Sequence, residues 1–93
     1  MKTDNGFAEI QHDIDEYGQV AQILFEEAKI SFAMYLGSVA EVASENVGCH
    51  RGYLNSLAYV LGYLDIEGNE DRKFYDLQDY VMSEGFATYQ NIS

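Results

Sequence analysis

The fold of this chain is decided by residues 7–45, which read FAEIQHDIDEYGQVAQILFEEAKISFAMYLGSVAEVASE. Apolar side chains recur there at helical spacing, and placing successive residues about 100° apart puts them on one stripe. That stripe comprises Phe7, Ile10, Ile14, Tyr17, Ala21, Leu24, Phe25, Ala28, Phe32, Tyr35, Leu36, Val39, Val42 and Ala43. The pattern predicts one long helix from about residue 7 to about residue 45, continuous or gently bent at Gly18 or Gly37.

A helix of this length does not fit a compact monomer of 93 residues. It would extend about 58 Å, whereas a compact domain of this size has a radius of gyration of only about 13 Å. Either the helix breaks at one of its glycines, or a second copy of the chain covers the overhang. Because the helical phase is kept throughout, we expect a homodimer or higher oligomer arranged as a helical bundle.

Two shorter helices are predicted after the long one. Residues 51–64, RGYLNSLAYVLGYL, place most of their apolar side chains on one broad face and predict a second helix. Residues 65–69 predict a turn, and Asn69 is a suitable N-cap for a third helix over residues 70–84, which ends at Gly85. The final residues, FATYQNIS, are expected to be irregular. The prediction is a single all-α domain over residues 1–93.

The charge of the chain excludes several classes of function. Five Lys and Arg stand against sixteen Asp and Glu, which gives a formal net charge of −11 and a pI near 4.2. Nucleic acid and anionic lipid are bound chiefly through Lys and Arg, so we expect neither to be bound directly. The single cysteine, Cys49, cannot form an internal disulfide, and no apolar run approaches the ~18 residues of a membrane span. A cytoplasmic protein is expected.

Two patterns resemble metal sites but are incomplete. Glu9 and His12 lie one helical turn apart, as in di-iron bundles, but those sites need a second such pair and two further glutamates. Residues 65–71 carry alternating acidic positions like a calcium loop, yet aligning Gly68 to its required place puts Tyr63 where the first aspartate belongs. A solvated histidine and an acidic turn explain these residues, so we expect no metal.

Catalytic motifs are also lacking. Cys49 and His50 are adjacent in the chain, which does not aim a thiolate and an imidazole at one another. The sequence contains no glycine-rich phosphate loop, no G-x-S-x-G motif and no basic patch. We therefore expect no enzyme, no catalytic residues and no cofactor.

Acidic side chains carry the strongest functional signal. A soluble domain needs only about 2 to 8 net charges of mixed sign, and crowded carboxylates repel one another. Crowding is expected to raise their pKa values in the folded state, so that mild acidification stabilises the fold. The predicted partner-binding acidic residues are Glu9, Asp13, Glu16, Glu27, Glu41, Glu45, Asp65, Glu67, Glu70, Asp71, Asp76 and Asp79.

In size, acidity and lack of catalytic residues, the chain resembles a loose class of small phage or mobile-element proteins that block nucleic-acid-binding enzymes by imitating the charge of DNA. The resemblance is one of composition, so it assigns no role to any residue. It implies an acidic inhibitor acting in a host cytoplasm. Its partner would be a defence protein with a basic surface that binds DNA or RNA.

An uncharged face on the second helix supports an alternative function. Small residues permit close approach and Tyr is enriched in protein interfaces, so this face is predicted to bind a partner chain or the long helix. It comprises Gly52, Asn55, Ser56, Tyr59, Gly62 and Tyr63. The side of the long helix opposite its apolar stripe carries most of its acidic residues. Apolar side chains lie among them at Val20, Ile23, Ile30 and Met34. The alternative is a small helical adaptor or regulatory subunit that binds a protein through these Tyr-rich and apolar faces.

Overall fold

A computed structural model describes the backbone of residues 2–37, 44–69 and 72–92 and the side chains of residues 6–37, 48–69 and 73–91. This part of the chain contains four α-helices: α1 (Lys2–Tyr17), α2 (Gln19–Gly37), α3 (Ser44–Val60) and α4 (Arg72–Ile92). It contains no β-strand, which confirms the all-α prediction. None of the described helices has the length and apolar character needed to cross a membrane.

The predicted long helix is broken at Gly18. This residue has φ +83°, a left-handed conformation that glycine adopts without the steric cost of a Cβ atom. Its N–H donates to the carbonyl oxygens of Ile14 and Asp15, both at 3.2 Å, which caps α1. Its carbonyl oxygen accepts the N–H of Gln22 at 3.0 Å and begins the ladder of α2. The prediction of a continuous helix through this position is wrong, and its continuation over residues 38–43 lies outside the described residues.

The break shortens the molecule, so the length of the helix no longer indicates a homodimer. The longest dimension is 35 Å and the radius of gyration is 12.9 Å, so none of the four described helices overhangs the body. The side chain of Asp15 holds the bend, since its Oδ1 accepts hydrogen bonds from Nε2 of Gln11 at 2.8 Å and Nε2 of Gln22 at 2.5 Å. Homo-oligomerisation therefore rests on exposed apolar surface alone and stays a prediction.

The bounds of the other helices also differ from the predicted ones. α3 begins before residue 51 and ends at Val60, whereas α4 runs through Gly85 to Ile92. A Cβ atom on Gly85 would lie 2.8 Å from the carbonyl oxygen of Lys29 and 2.8 Å from Cδ2 of Phe32. Gly85 is thus a close contact between α4 and α2 and not a helix stop. The prediction of an irregular tail is wrong for the described residues up to Ile92.

The core lies around α2, against which α3 and α4 both pack extensively while making few contacts with each other. α1 completes the fold by packing on α2 and α4. Buried side chains come from the predicted apolar positions of every helix, which confirms the helical phase. They include Ile10, Ile14, Ala21, Phe25, Ala28, Leu54, Leu57, Ala58, Leu61, Phe74, Leu77 and Val81.

Candidate functional site

An open cleft of about 600 Å³ lies where α1 meets the end of α3 and the beginning of α4. We term it the acidic cleft, because four carboxylates from two helices line it. Its lining residues are Glu9, Asp13, Glu16, Tyr17, Leu61, Gly62, Tyr63, Lys73 and Asp76. Three members of the predicted acidic row on α1 are therefore brought together with Asp76, which is distant in sequence.

The wall of the cleft is positioned by the end of α3. Gly62 has φ +82°, its N–H donates to the carbonyl oxygen of Tyr59 at 3.1 Å, and the N–H of Tyr63 donates to that of Ala58 at 2.7 Å. This pair of bonds is a Schellman cap, which ends the helix and turns the next residue away from the helical face. Tyr63 is consequently only 4% exposed, and its hydroxyl donates to the carboxylate of Asp13. Of the two roles predicted for the uncharged face, contact with a partner chain or with the long helix, Tyr63 has the second, since it contacts Asp13 of α1.

Lys73 of α4 shows how the cleft accommodates a cation. Its Nζ lies 3.4 Å from Oδ2 of Asp13, 3.6 Å from Oε1 of Glu9 and 5.3 Å from the ring centroid of Tyr63. An ammonium group is attracted both by carboxylates and by the face of an aromatic ring. The cleft therefore combines the two kinds of group that bind Lys and Arg side chains.

The protonation equilibria of the cleft follow from these contacts. The hydrogen bond from Tyr63 and the charge of Lys73 lower the pKa of Asp13, against the opposing effect of burial. Burial and the bond to Asp13 raise the pKa of Tyr63 well above its usual range. The pKa of Lys73 is also raised: burial acts to lower it, but the carboxylates of Asp13 and Glu9 outweigh that effect. Asp13 is thus an ionised structural group, and Tyr63 stays protonated.

Glu16 and Asp76 differ from Asp13 because their carboxylates are not used within the fold. Both side chains are exposed, and neither forms a hydrogen bond or ion pair with another described residue. Glu9 is also exposed and contributes one oxygen to Lys73. The cleft consequently presents more negative charge than its single lysine neutralises.

The remaining predicted acidic residues do not form one continuous row with the cleft. Glu27 lies on α2, where its carboxylate is close enough to the hydroxyl of Tyr53 to raise the pKa of that tyrosine. Asp65 is used within the turn after α3, since its Oδ1 accepts the N–H groups of Glu67 at 3.0 Å and Asn69 at 2.9 Å. The exposed side chains of Glu67 and Asp79 lie away from the cleft, whereas Glu41, Glu70, Asp71 and the side chain of Glu45 lie outside the described residues.

The metal pattern noted in the sequence takes a different form in the structure. Ligand atoms of His12, Asp13 and Glu16 lie within 4.8 Å of one another, so these three side chains could hold a cation, whereas Glu9 contacts Lys73. His12 Nδ1 is 3.7 Å from Oδ1 of Asp13. Because Asp13 already accepts from Tyr63 and Lys73, a metal ion would compete with bonds that hold the cleft together.

The uncharged face of α3 lines a second depression, a groove of about 690 Å³. Gly52, Asn55, Ser56 and Tyr59 are exposed and therefore do not pack on the long helix, and the last three line the groove. Sequence reasoning missed Ile66, an 83% exposed side chain in the turn after α3 that also lines it. We term this depression the α3 groove. Charged side chains of Arg51, Asp65 and Glu67 also line it, so the signal that could have found it is Ile66, an apolar residue within an otherwise acidic turn.

Comparison with known proteins does not assign either site. No protein-family model matches the chain, and no match was found among curated proteins or solved structures. The chemistry of the acidic cleft and of the α3 groove is therefore what bears on function.

Proposed function

We propose that this chain is a small acidic inhibitor that binds the basic, nucleic-acid-binding surface of a partner protein and thereby blocks it. The observation that carries the proposal is the acidic cleft, in which the unpaired carboxylates of Glu16 and Asp76 flank a lysine already held by carboxylates and a tyrosine ring. A phage or mobile-element antagonist of a host defence protein is the setting that the composition favours.

The cleft would bind a Lys or Arg side chain of the partner in the manner in which it holds Lys73. A surface that binds phosphates presents such side chains, so its charge is complementary to the cleft. The formal net charge of −11 would accelerate association and orient the chain before contact. Because these forces act between exposed charges, the complex should weaken steeply as salt is raised.

A capture experiment with matched variants tests this proposal. The cleft variant carries Glu16→Lys with Asp76→Lys, and the control variant carries Asp79→Lys with Glu84→Lys, which changes the net charge equally outside the cleft and the α3 groove. Each full chain is immobilised and exposed to the lysate fraction that binds a duplex-DNA column. We expect wild type and control to retain proteins that duplex DNA or added salt releases, and the cleft variant to retain them poorly. Retention that resists both DNA and salt would contradict the proposal.

The α3 groove supports a second candidate function, that of a helical adaptor. Tyr59 and Ile66 are large, exposed and adjacent to small polar residues, an arrangement that suits an apolar anchor from a partner. In that case Tyr59→Ala with Ile66→Ser should abolish capture, while the cleft variant binds normally and salt has little effect. The same assay thus separates the two functions.

A further inference from the structure

A third cavity lies between α3 and α4, on the side of the fold where both helices rest on α2. Its volume is about 280 Å³. Phe32, His50, Leu54 and Phe74 line it and are buried, whereas Arg51 and Tyr75 at its mouth are exposed. We term it the aromatic cavity. Sparse packing between α3 and α4 leaves this space open, and aromatic rings from α2 and α4 form its walls.

His50 gives the cavity its one buried titratable group. The side chain is only 8% exposed, and its ring lies 5.0 Å from the ring of Phe32. Nδ1 is 3.2 Å from the carbonyl oxygen of Ala28. A carbonyl oxygen can only accept, so Nδ1 carries the ring proton and Nε2 of the neutral ring is an acceptor. Burial lowers the pKa of His50, which favours this neutral form.

Nε2 of His50 has no hydrogen-bond partner among the described residues, although the side chain lines the cavity. No buried polar side-chain atom among the described residues lacks a partner, so Nε2 is reached by solvent through the cavity. A ligand that displaces this solvent must supply an O–H or N–H group, or it leaves Nε2 unpaired. Asn55 and Gln78 also line the cavity, but His50 is the one polar residue among the buried lining residues, so its acceptor defines the polar end of a ligand and the surrounding rings define its apolar end.

Size and charge restrict the ligand further. A volume of about 280 Å³ is at the lower limit of ligand pockets, and a dry apolar cavity of about 150 Å³ already accommodates benzene. One substituted aromatic ring therefore fits. Arg51, the one charged lining residue, disfavours a cation, and the formal net charge of −11 disfavours an anion. The complementary molecule is neutral, has one ring and carries a single donor.

We propose that the aromatic cavity binds a free, neutral phenol, whose ring packs against Phe32, Leu54 and Phe74 and whose hydroxyl donates to Nε2 of His50. This site is separate from the acidic cleft and does not depend on the proposed inhibitory function. The hydroxyl sets the specificity, because an aromatic ring of the same size without a donor leaves Nε2 unpaired.

Two probes of nearly equal shape test the proposal on the wild-type chain. p-Cresol carries the donor, whereas 4-methylanisole has the oxygen methylated and can only accept. In titrations followed by ¹H–¹⁵N correlation spectra, p-cresol should give saturable shifts in residues 50–54 and 74–82. We expect 4-methylanisole to bind about tenfold more weakly, the size of effect that one lost hydrogen bond produces.

Matched variants assign the binding to the cavity. Met82 lines the cavity, so Met82→Trp should fill it and abolish the binding of both probes. Met34 is exposed on α2, so Met34→Trp makes the same change elsewhere and should leave binding unchanged. His50→Phe keeps an aromatic ring but removes Nε2, and the two probes should then bind equally.

Three results would overturn the proposal. These are the absence of saturable shifts with p-cresol, equal affinities of the two probes for the wild type, and shifts that cluster on the outer face of α2. If His50→Phe fails to fold, the proposal is still tested by the affinities of the two probes for the wild type and by the comparison of Met82→Trp with Met34→Trp.

Discussion

The hydroxyl of Tyr63 donates a hydrogen bond to the carboxylate of Asp13, joining the residue after the α3 cap to the C-terminal half of α1. Lys73 approaches the same carboxylate from α4, so three segments distant in sequence meet at one acidic group. Hydrogen bonds to ionised groups stabilise more than neutral ones. Asp13 therefore holds the cleft together, whereas Glu16 and Asp76 have no such role within the fold and are the carboxylates of the proposed binding site. This division of roles is why the cleft variant keeps Asp13.

Tyr63→Phe should destabilise the protein by about 1.5–3 kcal/mol, because it removes a hydrogen bond to a charged group and leaves Asp13 part-buried with fewer partners. The pKa of Asp13 should rise toward its ordinary value, since the bond from Tyr63 is the main cause of its depression. Urea unfolding and an NMR titration measure these effects. Tyr59→Phe makes the same change at an exposed position and should alter stability by less than about 0.5 kcal/mol. Equal effects of the two substitutions would show that the Tyr63 hydroxyl contributes nothing.

The free energy of unfolding should fall between pH 7 and pH 5.5. Burial lowers the pKa of His50, so below about pH 6.5 the unfolded state takes up a proton that the folded state does not bind. The loss is at most about 1.4 kcal/mol per pH unit for this one group. His50→Gln should flatten the dependence.

This expectation reverses the one drawn from charge crowding in the sequence. The structure lowers the pKa values of Asp13 and Asp65 through hydrogen bonds, and their stabilisation is lost only well below pH 5.5, as pH falls from about 3.8 through their folded-state values. A protein that becomes more stable between pH 7 and pH 5.5 would show that crowding outweighs the burial of His50.

Gly85→Ala should destabilise the protein by about 1–3 kcal/mol, because the added Cβ would overlap a backbone oxygen of α2 and the ring of Phe32. Gly52→Ala, at an exposed position within α3 with nothing near its Cβ, should instead stabilise it by about 0.5–1 kcal/mol. Thermal and urea unfolding measure both. A stabilising Gly85→Ala would show that α4 and α2 are farther apart than described.

Self-association is tested by light scattering. Val20, Ile23, Ile30 and Met34 are exposed on one face of α2, and such an apolar patch favours packing against a second copy. We expect a mass above the 10.5 kDa of one chain, and Ile23→Lys with Ile30→Lys should reduce it to that value. A wild-type mass of 10.5 kDa would contradict the prediction.

Much of the fold could be predicted from the sequence, because buried and exposed positions alternate with helical period in every segment. The helix break at Gly18 could not be predicted from periodicity, since the apolar pattern continues across it in the same helical phase. Only the backbone conformation of Gly18 reveals the break. Gly85 was predicted to end its helix because glycine often follows a helix C-terminus. Its actual role, close packing of α4 against α2, depends on the tertiary structure and not on the sequence of α4 alone.

The candidate site was predicted only in part. The row of Glu9, Asp13 and Glu16 was visible as a pattern, whereas its pairing with Asp76 depends on how α4 packs beside α1. The inward turn of Tyr63 had a local signal, a glycine followed by an apolar residue at the end of a helix, which is typical of a Schellman cap. The burial of His50 also had a local signal, since His50 precedes the apolar residues Leu54 and Leu57 at helical spacing.

The central claim is that the acidic cleft binds basic side chains, and chemical-shift mapping with a tetralysine peptide tests it most directly. For the wild type and the control variant, we expect saturable, salt-sensitive shifts centred on Glu16, Gly62 and Asp76. The cleft variant should lose these shifts while keeping its helical circular dichroism. Shifts spread evenly over all acidic surfaces, or unchanged in the cleft variant, would contradict the claim.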